Sequence, residues 1–477
     1  MDWQSVWAFF YAAIQYEVPH MNKPTQHPTA LSETVTNASR RRFLSQAATL
    51  GGLGVAAALL PACSKAPSED ADASAEAAAK PASVGKLETT KAKLGFIALN
   101  DAAPLFVAVE KGFFAKYGMT EVDVQKQSSW GTTRDNLVLG SAKNGIDGGH
   151  ILTPMPYLIS TGAVTANNIP TPMYILARLN LDGQGISVSA EYADLKMGLQ
   201  NPAFKTALAA KRASGKEIRA AVTFPGGTHD LWMRYWLAAN GIDPNTDIST
   251  IVVPPPQMVA NMKVGSMDAF CVGEPWNEQL INQKIGYSAL TTGELWNKHP
   301  EKAFAMRADY VDAHPNSTKS LLMAVLEAQQ FCDDPANTEE VVRICASRRW
   351  INAPFEDIID RAKGTFDYGT GRVVTDSPHK MKFWQDNASY PFKSHDLWFL
   401  TENQRWGYLP SDLDTVALVD KVNREDLWRD AAQALGVSAS DIPTSTSRGI
   451  ETFFDGKQFD PANPKAYLDS LTIKKMS

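Results

Sequence analysis

Between residues 93 and 275, short apolar runs alternate with stretches of helical periodicity. Lys93 to Leu99 (KLGFIAL) is one such run and predicts a short buried strand. Asn100 and Asp101 follow, and Pro104 to Lys116 then carries Leu105, Val109 and Phe113 on one helical face. Proline at the start of that helix and Gly118 just past its end fit the usual asymmetry of helix termini. Glu121 to Gln125 (EVDVQ) alternates apolar and polar residues, as a strand does. The strand–helix–strand unit implies a parallel sheet.

The unit recurs in degenerate form. Asn136 to Leu152 reads as a helix, a glycine break and a strand opening near Asp147. Asn261 to Pro275 has the same order, with a break at Gly265 and a strand over Asp268 to Val272. Two such copies predict two similar α/β lobes. Ligands of open α/β sheets bind where strands end and helices begin, which directs attention to four segments. These are Ser128 to Thr133 with Trp130, Gly183-Gln184-Gly185, Phe224 to His229, and Cys271 to Trp276 with Gly273. The third is a glycine-rich loop leading into a helix over Asp230 to Asn240, and unpaired N–H groups there suit an anion. On the residues alone each admits a plainer role: Trp130 as a core aromatic, Gln184 as a turn cap, His229 as a helix-start cap, Gly273 as a turn residue.

The front of the chain has another character. Arg40 and Arg41 precede Phe43-Leu44 and a Gly/Ala-rich apolar run to Leu60, about 14 residues and too short for a bilayer span. This resembles an export signal of the twin-arginine type. Leu60-Pro61-Ala62-Cys63 resembles a bacterial lipobox, with Cys63 as the acylated first residue of the mature protein and residues 1–63 as the signal region. Residues 64–89 hold almost no large apolar side chain before Leu87 and read as a flexible tether. Residues 1–20 do not look like a signal, so Met21 is an alternative start, and the Gly52-Leu53-Gly54 pattern is a chance match inside the apolar run.

Composition narrows the functional classes. The 477 residues are 44% hydrophobic and 21% charged, so most of the chain is globular. A net charge of -6 argues against nucleic-acid binding. Four cysteines without a CxxC pair exclude a zinc ribbon or a thioredoxin-type site. Cys332 and Cys345 leave a disulfide open, and Cys271 sits in an apolar strand as a buried thiol. No HExxH, GxSxG or phosphate-binding loop occurs, so nothing points to an enzyme, a metal or a cofactor.

Three phrases carry a family resemblance: GIDGGHILTPMPYLISTG (145–162), VPPPQMVANMKVGSMDAFCVGEPWN (253–277) and ELWNKHPEKAFAMRADYVD (294–312). They resemble the substrate-binding lipoproteins of nitrate ABC importers, a family with bicarbonate-binding relatives, over about residues 90 to 450. The resemblance implies a two-lobed, C-clamp periplasmic-binding fold that captures nitrate, with nitrite beside it, for ABC permease and ATPase subunits. Bicarbonate or another small anion, a sensor role, or an enzyme on the same scaffold are the alternatives. Lobe I is expected over 90–185 and lobe II over 186–305, with 306–477 returning to lobe I and adding an extension that holds Trp398, Trp406 and Trp428.

By motif, the family's nitrate pocket falls on Trp130, Gln184, His229, Gly273 and Lys302. Only the resemblance promotes Lys302, which would otherwise be a solvated loop lysine. Nitrate has three acceptor oxygens and no proton, so its neighbours are expected to donate. The bicarbonate branch carries an acidic residue and calcium at the position of Lys302, whereas lysine supplies charge and donors but no acceptor.

Overall fold

The computed structural model describes residues 84–200 and 202–475. Arg40, Arg41, Cys63 and most of the expected tether lie outside the described residues. The last part of the tether is docked. Leu87 packs on the core, and the Glu88 carboxylate accepts hydrogen bonds from the Asn316 and Ser317 backbone N–H groups at 3.3 and 3.0 Å. Those groups open the helix Pro315–Asp333, where a carboxylate meets unpaired donors and the positive end of the dipole.

Two five-stranded sheets organise the molecule. The first contains β1 (Lys91–Phe96), β2 (Glu121–Lys126), β3 (Gly148–Leu152), β4 (Met173–Leu181) and the late strand β10 (Pro300–Arg307), in the order β2-β1-β3-β10-β4. The second contains β5 (Gln184–Ser189), β6 (Arg219–Val222), β7 (Ser249–Val252), β8 (Ala269–Gly273) and β9 (Gly286–Thr291), in the order β7-β6-β8-β5-β9. In each sheet three strands pair in parallel on one side, and two more are added on the other through antiparallel pairings, the inner one running against the three and the outer one with them. The two degenerate copies in the sequence become β3 and β8, the central strands of their sheets.

Local chemistry accounts for these elements. β2 is an edge strand, and its alternation of half-buried and exposed positions matches the polar alternation of EVDVQ. β3 is buried along its whole length and opens on Gly148-Gly149. A Cβ on Gly149, whose φ is +140°, would stand 2.1 Å from the Gly95 carbonyl oxygen of β1, so only glycine lets the two strands meet. The helix expected over 104–116 divides into Ala103–Glu110 and Phe113–Lys116, with Gly112 left-handed between them.

The chain passes from the first sheet to the second through Asp182 and Gly183, and returns at Pro300. The return therefore precedes the crossing expected near 305, because β10 needs its full length to pair with β3 and β4. The segment after β10 also departs from a simple return to lobe I. The helix Pro315–Asp333 packs on the first lobe, but Glu356–Lys363 packs beside the second lobe's helix Trp276–Asn282. In the helix Lys393–Arg405, Trp398 stacks on Trp232 of the second lobe at 5.0 Å between ring centroids. The three described cysteines are free buried thiols, so Cys332 and Cys345 do not pair; they stand on separate helices and line a cavity of about 70 Å³. Among the described residues no helix is long and apolar enough to cross a membrane.

Candidate functional site

The two joining segments bring one end of both sheets together. Asp182 N–H donates to the His299 carbonyl at 3.0 Å, which ties the outgoing segment to the returning one. Two more bonds cross between lobes at this end: Asn100 N–H to the Glu274 carbonyl at 2.8 Å, and Trp276 Nε1–H to the Ala98 carbonyl at 3.0 Å.

Around that junction stand Asp101 after β1, Trp130 at the start of the helix Trp130–Leu139, and His150 in β3. Gln184 opens β5 and pairs in register with Gly273, the last residue of β8. His229 lies in the first turn of the helix Thr228–Ala239, which begins two residues before the expected start at Asp230. Glu301 and Lys302 are consecutive in β10, yet both side chains reach the same point. The register of β10 against β4 shifts on either side of Lys302, and such a bulge turns neighbouring residues to one face.

Every one of these side chains is buried. Lys302 Nζ lies 2.8 Å from Asp101 Oδ2, 2.9 Å from Glu301 Oε1 and 3.5 Å from Gln184 Oε1. Gln184 Nε2 donates to Asp101 Oδ2 at 3.0 Å, leaving Gln184 Oε1 to face His229 Nε2 at 2.7 Å. That orientation assigns the proton to His229 Nε2, with Nδ1 accepting from the Thr223 hydroxyl at 2.5 Å. His150 Nε2 meets Asp101 Oδ1 at 2.6 Å, and the Trp130 ring lies 5.2 Å from the His150 ring. Trp130 Nε1 is buried with no hydrogen-bond partner among the described residues.

Charge in the site follows from burial and from Lys302. Burial works against a charge on Asp101, but the Lys302 ammonium and His150 outweigh it and hold that carboxyl well below the usual range. Burial also opposes the Lys302 ammonium, yet Asp101 and Glu301 raise its pKa overall. His229 is pushed well below the ordinary histidine value by burial and then by Lys302, so it is neutral at pH 7. Burial raises the Glu301 carboxyl despite Lys302, and it raises Asp182 to about 8.

Of the five residues named from the sequence, Gln184, His229, Gly273 and Lys302 meet directly, and Trp130 joins them through His150 and Asp101. Asp101, His150 and Glu301 were not singled out. Asp101 directly follows the first strand, where the strand-end rule applies, and Glu301 precedes Lys302; neither signal distinguishes them from ordinary polar residues. The two carboxylates also correct the expectation that every neighbour donates. Each of their oxygens already has at least one donor: Glu301 takes the Thr228 hydroxyl and Lys302 on Oε1, and Trp232 Nε1–H on Oε2 at 2.8 Å.

Residues 85–346 match the NMT1-like family. The chain is 64% identical over 390 residues to the nitrate/nitrite binding protein NrtA of Synechocystis sp. (strain ATCC 27184 / PCC 6803 / Kazusa), spanning 82% of this chain and 86% of that one. The crystal structure of periplasmic nitrate-binding NrtA from Synechocystis PCC 6803 superposes with a TM-score of 0.79, covering 81% of this chain and 100% of that one at 64% identity. The bicarbonate-binding protein CmpA of Synechococcus elongatus (strain ATCC 33912 / PCC 7942 / FACHB-805) is 43% identical over 448 residues, 92% of this chain and 98% of that one. The nitrate import ATP-binding protein NrtC of the same Synechocystis strain is 33% identical over 82% of this chain and 56% of its own length. On these matches the chain belongs to the NMT1-like family, and within it to the NrtA group of two-lobed periplasmic binding proteins.

Proposed function

We propose that this protein captures nitrate, and nitrite beside it, on the periplasmic side and delivers it to the permease and ATPase subunits of an ABC importer. One observation carries the reading. Two donors, His229 Nε2–H and the Lys302 ammonium, converge on the single acceptor oxygen of Gln184, while the Trp130 N–H is buried without an acceptor. An oxygen of a planar anion takes the place of Gln184 Oε1 when that side chain turns aside. Lys302 supplies the counter-charge, Trp130 walls the ion, excludes water and donates its N–H, and backbone N–H groups near His229 add donors. Gln184, turned so that its amide N–H faces the ion, closes from the facing side, and Gly273 leaves it room. Charge-assisted hydrogen bonds contribute roughly 1.5–3 kcal/mol each, so four or five, less the cost of closure, reach micromolar affinity at about -8 kcal/mol.

Binding without catalysis is the reading the relatives favour, since the close ones are named binding proteins. Acylated Cys63 holds the protein at the membrane surface; Cys63→Ala is expected to leave it soluble in cell fractionation.

Asp101 and Glu301 supply a reason to test bicarbonate as well, because its O–H needs an acceptor. Tryptophan-fluorescence or calorimetric titration of the anion-free protein with nitrate, nitrite, and bicarbonate with and without calcium separates the two. Micromolar nitrate binding without a calcium-dependent bicarbonate response is expected. Silence toward nitrate would overturn the reading.

A further inference from the structure

Around Lys302 the closed site sets two carboxylates against one ammonium. Asp101 and Glu301 stand within 2.8 and 2.9 Å of Lys302 Nζ, and none of the three side chains has exposed surface. A monovalent anion entering this point makes three negative groups around one positive one. In a buried site, where charges are poorly screened, that arrangement is strongly unfavourable. One group must give up its charge.

The geometry selects Glu301. Asp101 is held ionised by Lys302 on one oxygen and His150 on the other. Lys302 also touches Glu301 Oε1, and Trp232 Nε1–H holds Oε2, but Glu301 alone of the two has a hydroxyl partner: its Oε1 takes the Thr228 hydroxyl, which can rotate from donor to acceptor, and that oxygen lies 3.5 Å from His229 Nε2, facing the point where the donors converge. Burial already favours its neutral form. Resting on the oxyanion reading above, we propose that Glu301 takes up a proton when the anion binds, so that the protein captures one anion and one proton together. The proton enters from solvent before closure, forms an O–H bond on the Glu301 carboxyl, and returns to solvent when the anion is released. Glu301 thus couples affinity to pH, and no other bond is made or broken.

The other titratable and charged groups facing Glu301 come from every side. Lys302 is its neighbour in β10, and Asp101 and His150 lie across Lys302. His229 faces it from the helix Thr228–Ala239, and His299 Nδ1 stands 3.6 Å from Oε2, with Asp182 beyond it at 3.7 Å from His299 Nε2. The Cys271 thiol of β8, raised by burial and then by Glu301, lies on the second-lobe side. The Arg178–Asp396 pair stands behind Thr153, whose hydroxyl donates to the Glu301 carbonyl. Of these, His229 is the competing proton acceptor.

Nitrate titration by calorimetry in phosphate and in Bis-Tris at the same pH tests the coupling, since the two buffers differ in ionisation heat. Proton uptake of up to one per nitrate is expected at pH 6, with affinity falling up to tenfold per pH unit as pH rises. Glu301→Gln is expected to remove the uptake and flatten the pH profile, and a carboxylic-acid C=O band is expected in the infrared difference spectrum of the wild-type protein on nitrate addition. Equal heats in both buffers, uptake retained in Glu301→Gln, or no carboxylic-acid band would each overturn the proposal. The infrared measurement decides between Glu301 and His229 even if the variant fails to fold. Absence of nitrate binding in either buffer strikes the proposed function instead.

Discussion

A Cβ on Gly273 would stand 2.5 Å from Oε1 of Gln184, closer than such atoms approach, and 3.3 Å from Oδ2 of Asp101. The last residue of β8 is glycine because the Gln184 amide occupies the space a side chain would need. Gly273→Ala is therefore expected to displace Gln184 and weaken nitrate binding by more than tenfold, about 1.4 kcal/mol. Overpacking of this kind costs roughly 1–3 kcal/mol of stability, so melting curves recorded with the titration show whether the fold or the site suffers more.

Lys302 is the cation among the side chains gathered at the junction, and Lys302→Glu replaces it with a third carboxylate. Nitrate binding should be abolished in a fluorescence titration. An affinity within about threefold of the wild type would mean that Lys302 does not touch the ion, since tenfold corresponds to ~1.4 kcal/mol. Lys302→Met separates charge from stability: it too should lose nitrate, while leaving Asp101 and Glu301 without their buried partner costs roughly 3–5 kcal/mol in unfolding.

Trp130→Phe keeps a ring and removes only the N–H. Because Nε1 has no protein partner among the described residues, thermal stability is expected to change little. Nitrate affinity should fall by roughly tenfold or more, the ~1.5–3 kcal/mol of a hydrogen bond to a charged group. Unchanged affinity would reduce Trp130 to a wall.

Asp182, in the outgoing joining segment, has both carboxylate oxygens buried without a hydrogen-bond partner among the described residues, and burial raises its pKa to about 8. The folded state therefore holds a proton that the unfolded chain has lost, from about pH 4 up to pH 8, and stability falls as pH rises through that window. Asp182→Asn keeps the left-handed backbone, φ +57°, which asparagine tolerates. It should raise the melting temperature at pH 8.5 and much less at pH 4, with a gain on the order of 1–3 kcal/mol. Equal effects at both values would count against the unpaired charge as the cause.

Much of the scaffold was legible because it rests on local pattern. The run KLGFIAL and the alternation of EVDVQ became β1 and β2, and the repeated helix–break–strand order became the central strands of the two sheets. Local pattern was less informative at Gly112, where one expected helix is two, and at Pro300, where the chain rejoins the first sheet earlier than expected. It was silent on the tail: Trp398 gave no hint that it stacks on Trp232, some 166 positions away by number (398 against 232).

What the sequence determined by itself was the alternation of strand and helix, the glycines at strand ends, and, through the phrases shared with nitrate-binding relatives, the residue types expected at the site. Those features depend on periodicity and on side-chain chemistry close along the chain. Only the tertiary structure decided that Asp101, Glu301 and Lys302 share one buried point, because they come from the turn after β1 and from a bulged strand placed next to β3 by the return crossing. Burial there changes what the same side chains do. It keeps His229 neutral and raises Glu301 and Asp182, since the cost of a charge depends on the solvent and partners that folding removes or supplies.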